Sequence, residues 1–474
     1  MAIDLNRSLA WTSANAAENA MLDDLQANIL KGHGRLHTAN AFFKFDNADD
    51  GRAFLGGLAS SVTSASKQLQ ETVAFRQKGT PGDPVLLVFL THAGYSALGI
   101  PTNQTPTDEA FVDGMAARQE ALNDPDKSSW DKHLSANIHA MILLADTHGE
   151  NVQAALKLLL KTKSKGVVHL GTDIGLGMKS LLSEGEGIEH FGYVDGRSQP
   201  LILREDVERE RDARDGISVW NPEFPLKTAL VNDPGGKSEF SFGSYFVYRK
   251  LEQNVRAFKK AEKNLAKALN LRPKQAELAG AMIVGRFEDG TPVVLQKEDG
   301  INAPVMNNFD YKDDEFGSKC PFHSHIRKTN PRGDSGILGA PLEDERSHIM
   351  ARRGITYGKR LTHPNSKSLT IDEMPTKGVG LLFMAYQNNI QNQFEFTQRF
   401  WANNQNFVHD DTGIDPVIGQ GPSGGQACPV EWGGGEKTKK MKFDFRNFVS
   451  MKGGEYFFAP SLSMLKSLSP RPIV

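Results

Sequence analysis

The apolar residues in the first half of the chain recur with periods that predict alternating strands and helices. Four segments have the alternating or continuously apolar pattern of strands, at residues 39–46, 84–91, 136–146 and 166–172. Three have the spacing of helices, at residues 21–32, 51–70 and 151–162. From the first strand onward the order is βαββαβ, which is the order of a ferredoxin-like unit with an antiparallel sheet.

The same kinds of element recur, more widely spaced, in the second half. Strands are predicted at 243–253, 380–387 and 455–460, and helices at 254–269 and 391–403. The charged, proline-bearing segment 201–238 has no clear period and is predicted to be a connection. We therefore predict an α+β fold of two ferredoxin-like domains, residues 20–238 and 239–474, whose antiparallel sheets face each other across a cleft. Clefts between domains are frequent ligand sites.

Composition excludes several classes of protein. The 55 Lys and Arg residues nearly balance 57 Asp and Glu residues, so the chain is not a strongly basic nucleic-acid binder. Its two cysteines, Cys320 and Cys428, supply neither a disulfide framework nor a four-thiolate metal site. The sequence has no secretory signal and no run of about 18 apolar residues, so we expect a cytoplasmic protein with no membrane partner.

One candidate for chemistry is HFGYVDGRSQP at residues 190–200, where Gly192 and Gly196 bracket Asp195. Glycine permits backbone conformations and close approaches that other residues do not, so this carboxylate could lie next to a bound ligand. The competing interpretation is that Asp-Gly only makes a turn.

Two further segments concentrate basic residues. KCPFHSHIRKTNPR at 319–332 contains His323 and His325, and MARRGITYG at 350–358 contains Arg352 and Arg353. Zinc would need further Cys or His ligands at fixed spacing, whereas haem iron needs only one histidine. A guanidinium group could stabilise an anion or a peroxide. The alternatives are surface histidines in a basic loop and a solvated start to a strand.

Together these segments resemble the dye-decolourising peroxidases, a family of haem peroxidases, in their larger, insertion-bearing branch. The resemblance covers nearly the whole chain and follows the family's order. It is carried by LQANILKGHGR (25–35), FGYVDG (191–196), SYFVYRKLEQ (244–253), CPFHSHIRKTNPR (320–332), RRGITYG (352–358), GLLFMAYQNNIQNQFEF (380–396) and GEYFFAPS (454–461).

The resemblance implies a role for each matching residue. Asp195 of the GxxDG motif matches the distal acid–base residue, and Arg352 matches the distal arginine. His325 matches the proximal iron ligand, although His323 stands where the family usually has a small residue and is the alternative ligand. Arg332 matches a residue that pairs with a haem propionate.

Other residues are implied with the cofactor or near it. Val194, Gly196, Leu381 and Phe383 are expected at the cofactor, the last two as an apolar distal wall. Glu395 is the candidate carboxylate that orients the proximal histidine. Three aromatic residues near the expected site could carry electrons to the surface or simply pack in the core: Tyr357, Tyr386 and Trp401.

The activity implied is peroxide-dependent oxidation by one haem b per chain, bound in the C-terminal half and facing the cleft. Hydrogen peroxide would be the oxidant, and dyes, phenols and other small aromatic molecules the reductants, oxidised through an oxo-ferryl porphyrin radical. A monomer or a homodimer is expected. The alternatives are a non-catalytic haem carrier or store and a deferrochelatase-like haem-handling protein. The pairing of Asp195 with Arg352 favours the enzyme, because a carrier needs neither residue.

Overall fold

A computed structural model of the chain describes residues 3–301, 304–366 and 369–468. The strands are β1 His37–Phe45, β2 Val85–Leu90, β3 Ala140–Asp146, β4 Val167–Leu176, β5 Met178–Lys179, β6 Gly187–Ile188, β7 Val194–Asp195, β8 Val231–Asn232, β9 Phe242–Gln253, β10 Ala351–Arg352, β11 Ile355–Tyr357, β12 Gly380–Gln387, β13 Gln426–Pro429, β14 Lys440–Phe443 and β15 Val449–Ala459.

Thirteen α-helices lie between or beside these strands in the described residues. They are α1 Ala16–Asp24, α2 Ala48–Leu58, α3 Ala65–Lys78, α4 His92–Ala97, α5 Glu109–Asp113, α6 Gln119–Leu122, α7 Gly149–Thr162, α8 Arg204–Arg211, α9 Val255–Ala268, α10 Glu277–Val284, α11 His325–Thr329, α12 Leu342–Ser347 and α13 Leu462–Lys466. Two π-helical turns, Gln391–Glu395 and Thr397–Ala402, follow β12. Within the described chain, none of the helices combines the length and apolar composition of a membrane span.

Each half of the chain builds a four-stranded antiparallel unit with the same strand order. The first unit is ordered β4-β1-β3-β2 and the second β11-β12-β9-β15. In both, the first strand of the unit lies in the middle beside the third, which is the ferredoxin-like arrangement. The predicted α+β class with antiparallel sheets is therefore confirmed. The domain limits 20–238 and 239–474 stay a prediction.

The two units do not face each other as separate sheets, because their edge strands pair into one closed ring. β4 meets β11 through the pair Gly175 and Tyr357, and β2 meets β15 through Leu90 and Phe458. Each seam consists of one residue pair, whereas β9 and β12 pair along eight residues. Joining the sheets at both ends closes a barrel whose interior is filled by side chains, and the large cavity lies outside the ring, lined by residues from both predicted domains.

Alternation along the strands divides the apolar residues between two cores. Phe42, Phe89, Tyr248, Met384 and others of one parity fill the barrel interior. Residues of the other parity point outward, where helices α2, α4, α5 and α7 cover part of the ring. On the outer face of β9 and β12, the C-terminal part of the ring instead lines the large cavity described below.

Two predicted helices differ from the structure. The helix expected at 21–32 ends at Asp24, because the buried side chain of Gln26 bonds to the backbone of Val88 and Pro460 and Asn28 adopts a φ of 70°. The helix expected at 51–70 is two helices, α2 and α3. Ser64 caps α3 by accepting a hydrogen bond from the Lys67 N–H, so the chain starts a new helix there.

Candidate active site

The outer face of β9 and β12 forms one wall of a large cavity, and α11 and the segment around β7 form others. Eight of the residues expected at the cofactor or in catalysis line this cavity. They are Val194, Asp195, Gly196, His325, Arg332, Arg352, Leu381 and Phe383. Although these residues come from distant parts of the sequence, the fold brings them around one space.

Asp195 is presented to the cavity by two glycines that adopt left-handed backbone conformations. Gly192 has a φ of 102° and Gly196 a φ of 86°, conformations that strain other residues. The Gly196 N–H donates to Asp195 Oδ1 at 2.7 Å, which fixes the carboxylate on the backbone. About one-third of the Asp195 side chain is exposed, so the group is accessible to a small molecule.

Arg352 lies beside that carboxylate at the end of β10. Its Nη1 is 3.3 Å from Asp195 Oδ1, and its Nη2 donates to the backbone oxygen of Ser198 at 3.4 Å. The Arg352 N–H donates to Gln199 Oε1 at 3.0 Å, which ties the strand to the Asp195 segment. A base and a fixed positive charge thus stand side by side.

His325 is the first residue of α11 and lines the cavity. Its Nδ1 lies 2.8 Å from Asp415 Oδ2, and two N–H groups, of Val417 and Ile418, donate to Asp415 Oδ1 at 2.7 and 3.0 Å. Burial alone would lower the pKa of His325, but the Asp415 carboxylate raises it above its ordinary value. Burial opposes charge on Asp415 too, yet His325 and the N–H groups lower its pKa. With Nδ1 engaged, Nε2 is the nitrogen available to a metal.

The prediction that Glu395 orients the histidine is wrong. The buried Glu395 carboxylate accepts hydrogen bonds from Arg118, at 3.0 Å to Nε and 2.7 Å to Nη2, and from the Tyr456 hydroxyl at 3.0 Å. It does not line the cavity. Asp415 holds the position instead, and nothing in its spacing from His325, 90 residues away, signals the contact.

Two arginines, Arg332 and Arg286, stand in the cavity wall. Arg332 donates to the backbone oxygens of Asn307 and Phe309, and Arg286, which the sequence did not suggest, donates to those of Gly290 and Met306. Within the described residues none of their hydrogen bonds goes to a carboxylate. Burial, together with nearby guanidinium groups, lowers the pKa of Arg332 to about 10 and that of Arg286 to about 9. Such buried cations favour an anionic ligand.

His323 does not compete with His325 for the cavity. Its side chain is fully buried, and its Nε2 lies 3.8 Å from Cys428 Sγ. Burial and the nearby lysines Lys328 and Lys440 lower its pKa to about 3, which keeps the ring neutral. Since His323 is absent from the cavity wall, the structure places only His325 of the two at the site.

The three aromatic residues suggested as surface electron carriers are buried. Tyr357 is 9 % exposed, Trp401 3 % and Tyr386 0 %. Tyr386 packs inside the barrel against Phe246, and Trp401 stacks on Phe407. All three therefore pack in the core rather than at the surface, and a role in carrying electrons stays a prediction.

The lining suits haem in three respects. One imidazole has its Nδ1 engaged by a carboxylate and Nε2 left for iron, the donor set of a histidine-ligated haem. The buried cations Arg332 and Arg286 match the two carboxylates that haem carries. Apolar side chains from several elements supply walls for a flat ring: Ile326, Leu381, Phe383, Phe394, Val417, Ile418 and Met451.

Two protein-family models and several known sequences match this chain. The family model "DyP dimeric alpha+beta barrel domain" matches residues 24–174, and "Dyp-type peroxidase, C-terminal" matches residues 213–411. The chain is 48 % identical to a multifunctional dye peroxidase of Amycolatopsis sp., covering 99 % of this chain and 100 % of the relative. It is 33 % identical to Peroxidase 2 of Mycetinis scorodonius, covering 98 % and 90 %.

Solved structures are similar to this chain over nearly its whole length. The dye peroxidase structure from Amycolatopsis sp. superposes with a TM-score of 0.94 at 46 % identity, covering 98 % of this chain and all of that one. A DyP-type peroxidase of Anabaena sp. superposes with a TM-score of 0.91 at 41 % identity, covering 98 % and 99 %. By sequence and by fold, the chain belongs to the dye-decolourising peroxidase family.

Proposed function

We propose that this enzyme is a haem peroxidase in which His325 binds the iron and Asp195 moves the proton of hydrogen peroxide. One observation carries the proposal: a single cavity is lined by His325, whose Nδ1 is engaged by the buried Asp415, and by the Asp195–Arg352 pair. Haem iron, when bound, supplies the centre at which the O–O bond of peroxide is cleaved.

Asp195 is suited to move a proton twice in the reaction. Its Oδ1 is engaged by the Gly196 N–H and by Arg352, so Oδ2 is the oxygen free to take a proton from peroxide. The same carboxyl group returns that proton to the departing oxygen, which leaves as water. Arg352 Nη1, 3.3 Å from Asp195 Oδ1, would stabilise negative charge on that oxygen, and its contact with Asp195 orients both groups before peroxide arrives.

At His325, Asp415 would hold the proton on Nδ1. The hydrogen bond makes Nε2 a stronger donor and fixes the orientation of the ring. Arg332 and Arg286 would bind the propionate groups. Val194, Gly196, Leu381 and Phe383 would contact the ring and keep bulk water from it.

Relatives support the choice of reductant. Several are named dye-decolorizing peroxidases, and one such enzyme, 26 % identical to this chain, has been solved in complex with 2,6-dimethoxyphenol. We propose that dyes and phenols are oxidised here as well. Cytoplasmic location and a monomeric or dimeric state stay predictions.

The purified protein, with haem supplied during expression, tests this function by its absorption spectrum. A Soret band that shifts on adding hydrogen peroxide and returns on adding 2,6-dimethoxyphenol is expected. A Soret band that peroxide leaves unchanged would support the haem carrier. Loss of the band in His325→Ala but not in His323→Ala is expected, and the reverse would overturn the ligand assignment.

A further inference from the structure

A second cavity meets the first at the Asp195–Arg352 pair. Both are lined by Asp195, Gly196, Arg352, Leu381 and Phe383. The other walls of the second cavity come from residues 28–36, 177–188, 199–206 and 352–356. We call this second cavity the basic channel, because of the charges described next.

The basic channel has an excess of positive charge around one carboxylate. Asp206 lies in its wall, and Lys31 Nζ, also in the wall, is 2.7 and 2.8 Å from the two Asp206 oxygens. Arg209 binds the same carboxylate, and Arg76 Nη2 lies 3.9 Å from it. Arg353 adds a further positive charge, since its guanidinium group donates only to backbone oxygens among the described residues.

The neighbouring groups do not remove this excess. Glu205, in the same helix as Arg209, accepts hydrogen bonds from the N–H and hydroxyl of Thr12 at 2.8 and 2.7 Å, and Glu210, next to Arg209 in sequence, pairs with Arg197. Burial, with Arg76, Arg209 and Arg353, lowers the pKa of Lys31 to about 7, as expected where like charges crowd together.

Apolar side chains also line the basic channel. They are Leu30, Leu36, Met178, Ile188, Leu201 and Ile355. A ligand that fits has an apolar body and an anionic end, because each part then meets a matching wall. Arg76 and Arg209 are not themselves lining residues of the basic channel, but both reach Asp206 in its wall, and their side chains are 44 % and 46 % exposed, so they can reorient toward a ligand there.

We propose that the basic channel binds aromatic acids, with the carboxylate or sulfonate at Lys31, Arg76 and Arg209 and the ring directed toward Leu381 and Phe383. The inference deepens the proposed function, on which it rests, by naming anionic aromatic molecules as the reductants admitted at this side. Neutral phenols of the same size lack the charge interaction and should bind more weakly.

Calorimetric titration of the holoenzyme without peroxide tests the site, with benzoate as probe and benzamide as its neutral analogue. Benzoate should bind at least tenfold more tightly than benzamide. The double variant Arg76→Gln/Arg209→Gln should weaken benzoate binding at least tenfold. The control Lys78→Gln/Arg211→Gln removes the same charge from the same two helices, α3 and α8, at exposed positions two residues further on, and should change binding less than twofold.

Asp206→Asn is a second variant, and it should change the affinity for benzoate in the opposite direction. Removing the carboxylate that binds Lys31 and Arg209 should tighten benzoate binding severalfold. Raising the salt concentration should weaken benzoate binding to the wild type more than to the double variant. Equal affinities for benzoate and benzamide, or equal losses in both double variants, would overturn the inference.

Oxidation of neutral 2,6-dimethoxyphenol distinguishes failure of the aromatic-acid site from failure of the proposed peroxidase function. If peroxide oxidises this phenol but benzoate does not bind, the proposed function stands and the aromatic-acid site fails. If benzoate binds as expected but peroxide has no effect on the Soret band, the site stands and the peroxidase function fails.

Discussion

His325 Nδ1 and Asp415 Oδ2 lie 2.8 Å apart, and this contact joins the helix α11 to a loop 90 residues later in the chain. The Asp415 carboxylate is fully buried, and two backbone N–H groups hold it in place. The imidazole therefore has one defined tautomer and orientation before any metal is bound.

Replacing Asp415 with asparagine should weaken haem binding and raise the iron reduction potential. An amide cannot supply the negative charge that strengthens Nε2 as a donor, and loss of such a partner typically costs about 10- to 100-fold in metal affinity. Haem transfer to apomyoglobin measures the affinity, and a redox titration followed at the Soret band measures the potential. A potential equal to that of the wild type would contradict the role of Asp415.

Asp195→Asn and Arg352→Leu should slow the reaction with peroxide while preserving the resting spectrum. Loss of the acid–base group should cost about 100- to 10,000-fold, and loss of the guanidinium about 100- to 1000-fold. Stopped-flow absorption at the Soret band gives the second-order rate constant directly. The exposed variant Arg211→Leu serves as a matched control for Arg352→Leu. A near-normal rate in Asp195→Asn would remove Asp195 from the mechanism.

Glu395→Gln should affect stability rather than haem chemistry. The change leaves Arg118 without its main carboxylate partner, and breaking a buried ion pair costs about 3–5 kcal/mol; the partial exposure of Arg118 favours the lower value. Denaturant titration measures the loss in the free energy of unfolding. If Glu395→Gln instead shifts the reduction potential as much as Asp415→Asn, the assignment of Asp415 over Glu395 is wrong.

Glu189 should make stability depend on pH below neutrality. Burial is the largest cause that raises the pKa of Glu189 to about 7. Between the unfolded value near 4.5 and about 7, the folded state holds a proton that the unfolded state has lost. Stability from this group is therefore full below about pH 4.5 and declines as pH rises toward 7, by no more than about 3 kcal/mol.

Denaturant titrations of wild type and Glu189→Gln between pH 5 and 8 measure this effect. The variant, which has no carboxyl group to ionise at this position, should gain stability relative to wild type as pH rises. The exposed Glu184→Gln provides the matched control and should give a parallel curve to wild type. A constant difference between Glu189→Gln and wild type across this range would contradict the prediction.

The local pattern of apolar residues was sufficient to predict most strands and the order of elements in each unit. The segment 380–387 forms a strand with those limits, and the strands predicted at 39–46 and 243–253 shift by two residues or fewer. The pattern failed where tertiary contacts compete with helical spacing, as at Gln26, whose side chain bonds to two distant backbone segments. Closure of the ring also depends on long-range pairing that no local period records.

Some residues of the site could be found from local sequence motifs, and others could not. Asp195 and His325 belong to short, distinctive motifs, so the sequence alone was sufficient to find them. Asp415 and Arg286 have no motif of their own and acquire their roles through contacts made across the fold. Glu395 was chosen for its charge and its neighbourhood in sequence, but its helix directs it to Arg118 on another side.

The single-pair seams between the two units have a consequence for fragments of the chain. In the closed ring β2, β4, β11 and β15 each have a neighbour on both sides, whereas either half alone would expose two rows of unpaired N–H and C=O groups. Such edges readily recruit strands from other molecules. A half-length fragment should therefore self-associate through its edges, and co-expressed halves should find each other and restore the barrel.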